Sequence, residues 1–244
     1  MARAHIGTSG WSYKGWKEDF LGGVPKSEWL SYCAERFTGI EVNGTFYRLQ
    51  ARDTYRKWRD ETPREFRFAI KGHRYVTHNK KLGEVDDSIA LVKERAEAMG
   101  EKLAVVLWQL PANFGKKMEK LERFLSGLES WQEVRHSIEF RDRSWFDEEV
   151  AERLSGGKVA VCQSDAPDFP LWDEVTTDLV YVRLHGHTRK YASKYGGRLL
   201  DEWAEKTRDW LEEGRDVHVY FDNDAEGHAP WDALRLLERV GFKR

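Results

Sequence analysis

YVRLHG, residues 181–186, alternates Tyr181, Arg183 and His185 with the aliphatic Val182 and Leu184, and Val180 extends the aliphatic set backwards. A period of two puts the sets on opposite faces of a strand. An arginine and a histidine facing the interior of a closed sandwich would be stranded there. They suit a barrel strand instead, whose inward residues reach an open mouth at its C-terminal end.

Seven other short runs surround this one: His5 to Ser9, Gly39 to Asn43, Phe66 to Lys71, Leu103 to Leu110, Arg135 to Arg141, Val159 to Asp165 and Val217 to Asp222; the run under discussion is Leu179 to His185. Amphipathic segments predict helices over 27–37, 87–99, 116–128, 147–154, 199–213 and 231–240. APDFPLWDEVTT, after the sixth run, reads as a loop with at most a short helix. Eight strands alternating with helices in 244 residues predict one (β/α)8 TIM-type barrel over 1–244, with the helix after strand six reduced or missing. A doubly wound open sheet is the rival, but no GxGxxG follows the first strand.

The same parity selects the inward residues elsewhere: Glu41 and Asn43, Lys71 and His73, Gln109, Glu139 and Arg141, Gln163 and Asp165, and Tyr220 and Asp222. Polar groups therefore converge from nearly every strand. Ser9 lacks a GxSxG elbow, and Cys162 falls in the outward set of its strand; both read as structural.

Net charge is −2, with charged residues at 34% and aromatic ones at 13%, so bulk charge makes no case for nucleic acid. Two cysteines without CxxC spacing exclude a disulfide framework or a zinc module and fit a reducing compartment. No apolar run reaches membrane-span length, and MARAHIGTSGW leads directly into a strand-like segment rather than a signal peptide. A cytoplasmic protein with no membrane partner is expected, and nothing in the pattern sets an oligomeric state.

GTSGWSYKGW (7–16), EVNGTFYR (41–48), FAIKGHRYVTH (68–78), LWQLPANF (107–114), IEFRDRSW (138–145), YVRLHG (181–186) and YFDNDAEGHA (220–229) resemble, in order, the motifs of the YecE-like family, catalogued as domain of unknown function 72. The resemblance implies a barrel of this kind and supplies no reaction. His228, Pro230 and Trp231 stand where the family tends to carry small residues and Asn, so the eighth loop differs in detail.

Charge patterning points to an anionic ligand. KGHRYVTHNKK (71–81) and RLHGHTRKYASKYGGR (183–198) carry Lys71, Arg74, Lys80, Lys81, Arg183, Arg189, Lys190, Lys194 and Arg198 with no carboxylate, interleaved with Tyr75, Tyr191 and Tyr195. Such surfaces suit a phosphate-bearing small molecule or nucleic acid. The expected function is binding of a phosphate-bearing ligand at the mouth; if the protein is an enzyme, phosphoester hydrolysis is the first expectation, with His185 or Glu139 as acid–base group and Arg141, Arg183 and Lys71 stabilising charge, while Glu41 and Asp222 complete the catalytic set. Trp11, Asn43, Tyr47, His73, Gln109, Trp145, Asp165, Lys194, Tyr195 and Asn223 are assigned to ligand contact. Arg183, the deeper of its pair, calls for a carboxylate partner, Glu139 or Asp222, with His185 nearer solvent. The alternatives are a non-catalytic nucleic-acid-binding protein and, third, a glycoside hydrolase using two mouth carboxylates. No cofactor is indicated; a divalent metal is disfavoured because Lys71, Arg141 and Arg183 would repel it.

Overall fold

The computed structural model describes residues 2–242. Its strands are β1 (Ala4–Thr8), β2 (Gly39–Val42), β3 (Arg67–Lys71), β4 (Leu103–Gln109), β5 (Arg135–Glu139), β6 (Val159–Asp165), β7 (Leu179–Leu184) and β8 (Asp216–Phe221). All pair in parallel, in the order β1-β8-β7-β6-β5-β4-β3-β2. Where β1 meets β2, a parallel bridge joins Ser9 to Glu41 and Thr38 N donates to Ile6 O at 3.1 Å. The result is a nearly closed barrel. The seam requires glycine at 7: a Cβ there would sit 2.0 Å from the Gly39 carbonyl oxygen.

The helices are α1 (Trp29–Ala34), α2 (Gly44–Tyr47), α3 (Arg52–Asp60), α4 (Asp86–Ala96), α5 (Met118–Leu128), α6 (Glu148–Gly156), α7 (Gly197–Glu212) and α8 (Ala229–Val240). Asp147 caps α6, its carboxylate accepting Glu149 N at 3.0 Å, and Gly241, at φ 97°, ends α8 in the left-handed region. No helix stands between β6 and β7, as the sequence predicts. Helix α3 is not among the expected segments. It is RDTYRKWRD and buries only Tyr55, too few apolar residues for a helical period to register.

The alternation divides the strands' side chains into two shells. Val180, Val182 and Leu184 pack outward with Val217, Val219, Phe221, Ile40, Phe68 and Ile70 against the helices. Ala69, Val105, Leu107, Ala160, Cys162, Leu179, Tyr181 and Tyr220 fill the barrel's middle. Below them His5 and His218 meet with ring centroids 4.7 Å apart. Above them lie the polar inward residues.

The assignment for β6 is reversed. Cys162 and Ser164 point inward, and Gln163 points outward, donating to Glu174 O at 3.2 Å. A polar residue is tolerated at 163 because the 166–178 loop passes over it and offers the Glu174 carbonyl as acceptor, while Val159 and Val161 on the same face join the helix-side core. The small inward side chains in turn leave room for Tyr181 and Arg183 of neighbouring β7.

Candidate functional site

The deepest polar layer is built around Arg183, which is fully buried. Its Nε and Nη2 fork onto Glu41 at 3.0 and 2.8 Å, Nη1 reaches Glu139 at 2.9 Å, and Nη2 reaches Asp222 at 3.1 Å. Nη1 also meets His185 Nε2 at 3.2 Å, so every guanidinium hydrogen has an acceptor. Because a guanidinium only donates, His185 Nε2 is the acceptor in this contact, and the other ring nitrogen is Nδ1. That atom is 3.0 Å from Asp222 Oδ2 but off the line of a hydrogen bond. Tyr181 and Ser9 donate to Glu41, the tyrosine at 2.6 Å. Arg141 Nε donates to Glu139 at 2.9 Å. Burial would raise the Glu139 carboxyl, yet Arg141 and Arg183 outweigh it and hold the group well below the usual range.

This layer is a closed ion network rather than a reactive surface. Glu41, Glu139, Arg183 and His185 are all fully buried. The Arg183 partners include the two expected from sequence, but the fork goes to Glu41, across the barrel. His185 is not near solvent: Phe169 and Tyr191 cover its ring at 5.6 and 5.5 Å.

Above the network opens a cleft of about 580 Å³, floored by Lys71, Gln109, Arg141 and Asp222 and edged by Asn43 and Tyr47. It lies at the C-terminal end of the strands, where the active sites of this fold sit. A cleft of about 650 Å³ at the opposite end is lined by Arg135, His136 and Asp178 among others. There the Arg135 guanidinium is already neutralised by Asp178 and Asp216.

Four further residues line the mouth that the inward pattern did not select: Tyr13, His78, Tyr191 and Asp224. Asp224 shares the parity of Tyr220 and Asp222, so the strand rule extended two residues would have found it. His78 is delivered by a π-helical turn, Tyr75–Asn79, a rare element frequent at functional sites. Tyr191 holds φ at 61°, a conformation L side chains seldom adopt. No sequence pattern signals His78, whereas the basic and aromatic interleaving of 183–198 already points to Tyr191.

Two groups in the cleft are unsatisfied. The Lys71 side chain lies along the Phe46 ring, Nζ 4.4 Å from its centroid, and has no ion-pair or hydrogen-bond partner for Nζ among the described residues. Burial, and then the nearby Arg183 charge, lowers its pKa to about 8. Asp224 has both carboxyl oxygens buried without a hydrogen bond; Tyr13 and Trp16 approach without closing one. Burial and the adjacent Asp222 charge push this carboxyl well up. His78 is pulled down to about 4 by burial and by Lys71, so its imidazole is neutral near pH 7.

The remaining expected ligand contacts lie elsewhere. Trp145 is fully buried, stacked on Phe140 at 4.8 Å with its indole bonded to Phe114 O. Trp11 packs edge-on against Trp58 at 5.4 Å, in a separate surface groove with Lys26 and Lys57. Asp165, Tyr195 and Asn223 form a support under the seventh loop. Tyr195 donates to Asp165 at 2.8 Å, and Asn223 donates to Asp232 of α8 at 2.9 Å. His73 is half-buried outside the cleft and Lys194 is exposed. Arg189 and Lys190 are paired with Glu226 and Asp168, so loops 166–178 and 222–228 supply the carboxylates that 183–198 lacks. Among the described residues no cluster of three or more His, Cys, Asp or Glu side chains is arranged to hold a metal, and no helix is long and apolar enough to cross a membrane.

Fold and cleft together define a (β/α)8 barrel protein with a cation-bearing mouth at the C-terminal ends of its strands. The chain belongs to the family described as "Protein of unknown function DUF72", whose model matches residues 5–244. It is 25% identical over 246 residues to UPF0759 protein YunF of Bacillus subtilis, covering 88% of this chain and 87% of that one. To UPF0759 protein YecE of Escherichia coli it is 29% identical over 143 residues, 58% of this chain and half the length of that relative. The crystal structure of a DUF72 family protein from Thermotoga maritima superposes with a TM-score of 0.87 at 26% identity, over 98% of this chain and 100% of that one.

Proposed function

We propose that the mouth binds a small phosphate-bearing ligand and hydrolyses its phosphoester bond. The observation that carries this reading is the uncompensated Lys71 ammonium beside Arg141 on the floor of a concave cleft. A phosphoryl group between the two cations would complete the charge balance that the protein leaves open, and dry cationic sites are where such electrostatic stabilisation is largest. Asp224, whose carboxyl is pushed well up by burial and the Asp222 charge, is the acid for the leaving oxygen, and neutral His78 is the base that takes a proton from the attacking water. Glu139 and His185, the acid–base groups expected from sequence, belong to the network beneath and serve by positioning Arg141 and Arg183.

Two other readings fit less well. A nucleic-acid-binding protein needs an extended basic surface, and the pairing of Arg189 and Lys190 removes much of it. A glycosidase needs two free mouth carboxylates, and both Glu41 and Glu139 are committed to Arg183. Calorimetric titration with inorganic phosphate, a phosphomonoester and a single-stranded oligonucleotide separates the phosphoester reading from the nucleic-acid one. The proposal expects phosphate and monoester binding that falls roughly tenfold or more in Lys71→Met and Arg141→Ala, with turnover of the monoester lost in Asp224→Asn. Oligonucleotide binding with a steep salt dependence, unaffected by either substitution, would replace it with the nucleic-acid reading.

A further inference from the structure

Lys71 is placed unlike a simple phosphate anchor. An anchor gains from a permanent charge, which arginine supplies and a buried lysine does not. Here the residue at the end of β3 is the one that can give up its proton, and it is held rigidly. Its carbonyl accepts the Thr45 hydroxyl at 2.7 Å, and Gly72 lies against the Trp108 ring so closely that a Cβ would come within 2.3 Å of it. The amine ends in the cleft with no acid partner among the described residues, and the unpartnered Asp224 carboxyl lines the same cleft. A desolvated amine next to cations, in a cleft that an unpartnered carboxyl also lines, is the arrangement by which lysines attack carbonyl groups.

We propose that Lys71 forms an imine with a small phosphorylated aldehyde or ketone bound in the mouth, with Asp224 as its proton donor. The phosphate half of this proposal rests on the reading above, with Arg141 as the cation that holds the phosphoryl group once the Lys71 amine is spent on the carbonyl; the imine half does not. In the step, the Nζ lone pair attacks the carbonyl carbon, and the carbonyl π pair moves to oxygen, which takes the Asp224 proton. The nitrogen returns one proton to the Asp224 carboxylate, which donates it again as the carbinolamine hydroxyl leaves as water, and the nitrogen keeps its last hydrogen in the protonated imine. One water leaves for each C=N bond formed, and no electrons are gained or lost.

The test is reductive trapping. The whole chain is incubated with dihydroxyacetone phosphate and, separately, with unphosphorylated dihydroxyacetone, each with sodium cyanoborohydride, and the adduct is mapped by peptide mass spectrometry. The expected result is a stable adduct at Lys71 from the phosphorylated ketone, formed roughly tenfold or more faster than at exposed lysines such as Lys194 and suppressed by inorganic phosphate. Its rate should rise through about pH 8 rather than near 10.5. That profile reflects Arg183, Arg141, His78, Glu139, Glu41 and Asp222, the charged or titratable groups facing the amine from β7, β5, the π-helical turn, β2 and β8. Lys71→Met and Lys71→Arg, each shown folded by its melting curve, should lose this adduct and keep the surface labels, and Asp224→Asn should slow its formation. Labelling of Lys71 no faster than Lys194 overturns the imine, whatever phosphate does. Equal labelling by both ketones without phosphate protection keeps the imine and overturns the phosphate half.

Discussion

Lys71 exposes the tension between stability and chemistry at a single side chain. Its folded pKa, near 8, lies below the 10.5 of an unperturbed lysine. Below about pH 8 the amine is protonated in both states, and the folded state bears the full cost of burying it. Between 8 and 10.5 the unfolded chain binds the extra proton, so stability rises with pH. Lys71→Met should therefore stabilise the protein at pH 7 by about 3 kcal/mol, an advantage that shrinks as pH climbs through that window. Urea melts of both proteins at pH 7 and pH 10 read this directly, and a variant less stable than the parent at pH 7 would contradict it. Lys71 was legible from sequence because strand parity put it inward. Its lack of a partner was not, since that depends on where Glu41 and Glu139 turn, and both turn to Arg183.

At the scale of the element, alternation worked wherever a strand is covered by a helix. β2, β3, β5, β7 and β8 each present aliphatic or aromatic residues outward and polar ones inward. It failed at β6, where a loop passes over Gln163 and the polar-equals-inward rule has no basis. It also ended where the strands end. The π-helical turn that brings His78 to the cleft and the left-handed Tyr191 are set by tertiary packing, and no local period encodes them. The junction of β3 with its loop has its own consequence. Gly72→Ala would drive a methyl into the Trp108 ring, an overpacking worth roughly 1–3 kcal/mol. Denaturant melts should show that loss, and the strained strand end should also weaken phosphate binding, although residue 72 touches no ligand. A Gly72→Ala protein with wild-type melting would mean that the ring moves aside at no cost.

For the whole molecule, the ring, the order of its strands and the absence of a helix after β6 follow from the eight-fold alternation of sequence pattern, whereas the contacts that close the seam do not. Closure depends on Gly7 against Gly39 and on the bridge from Ser9 to Glu41, contacts between segments that look unremarkable alone. The Arg183 network spans that same seam. Its guanidinium ties β7 to Glu41 on β2, 142 residues away in the chain, and to Ser9, 174 residues away. Removing one member of so buried an ion cluster should cost about 3–5 kcal/mol. Contacts of such separation carry a large loop-closure entropy and are expected to form after the folding barrier has been crossed. Arg183→Met should accordingly leave the refolding rate nearly unchanged and appear almost wholly as faster unfolding, by roughly two orders of magnitude or more, in stopped-flow chevrons. Slowed refolding with unchanged unfolding would place the network in the nucleus instead. On this view the guanidinium works as a latch: it takes no part in finding the native ring and sets how long the ring, once closed, stays shut.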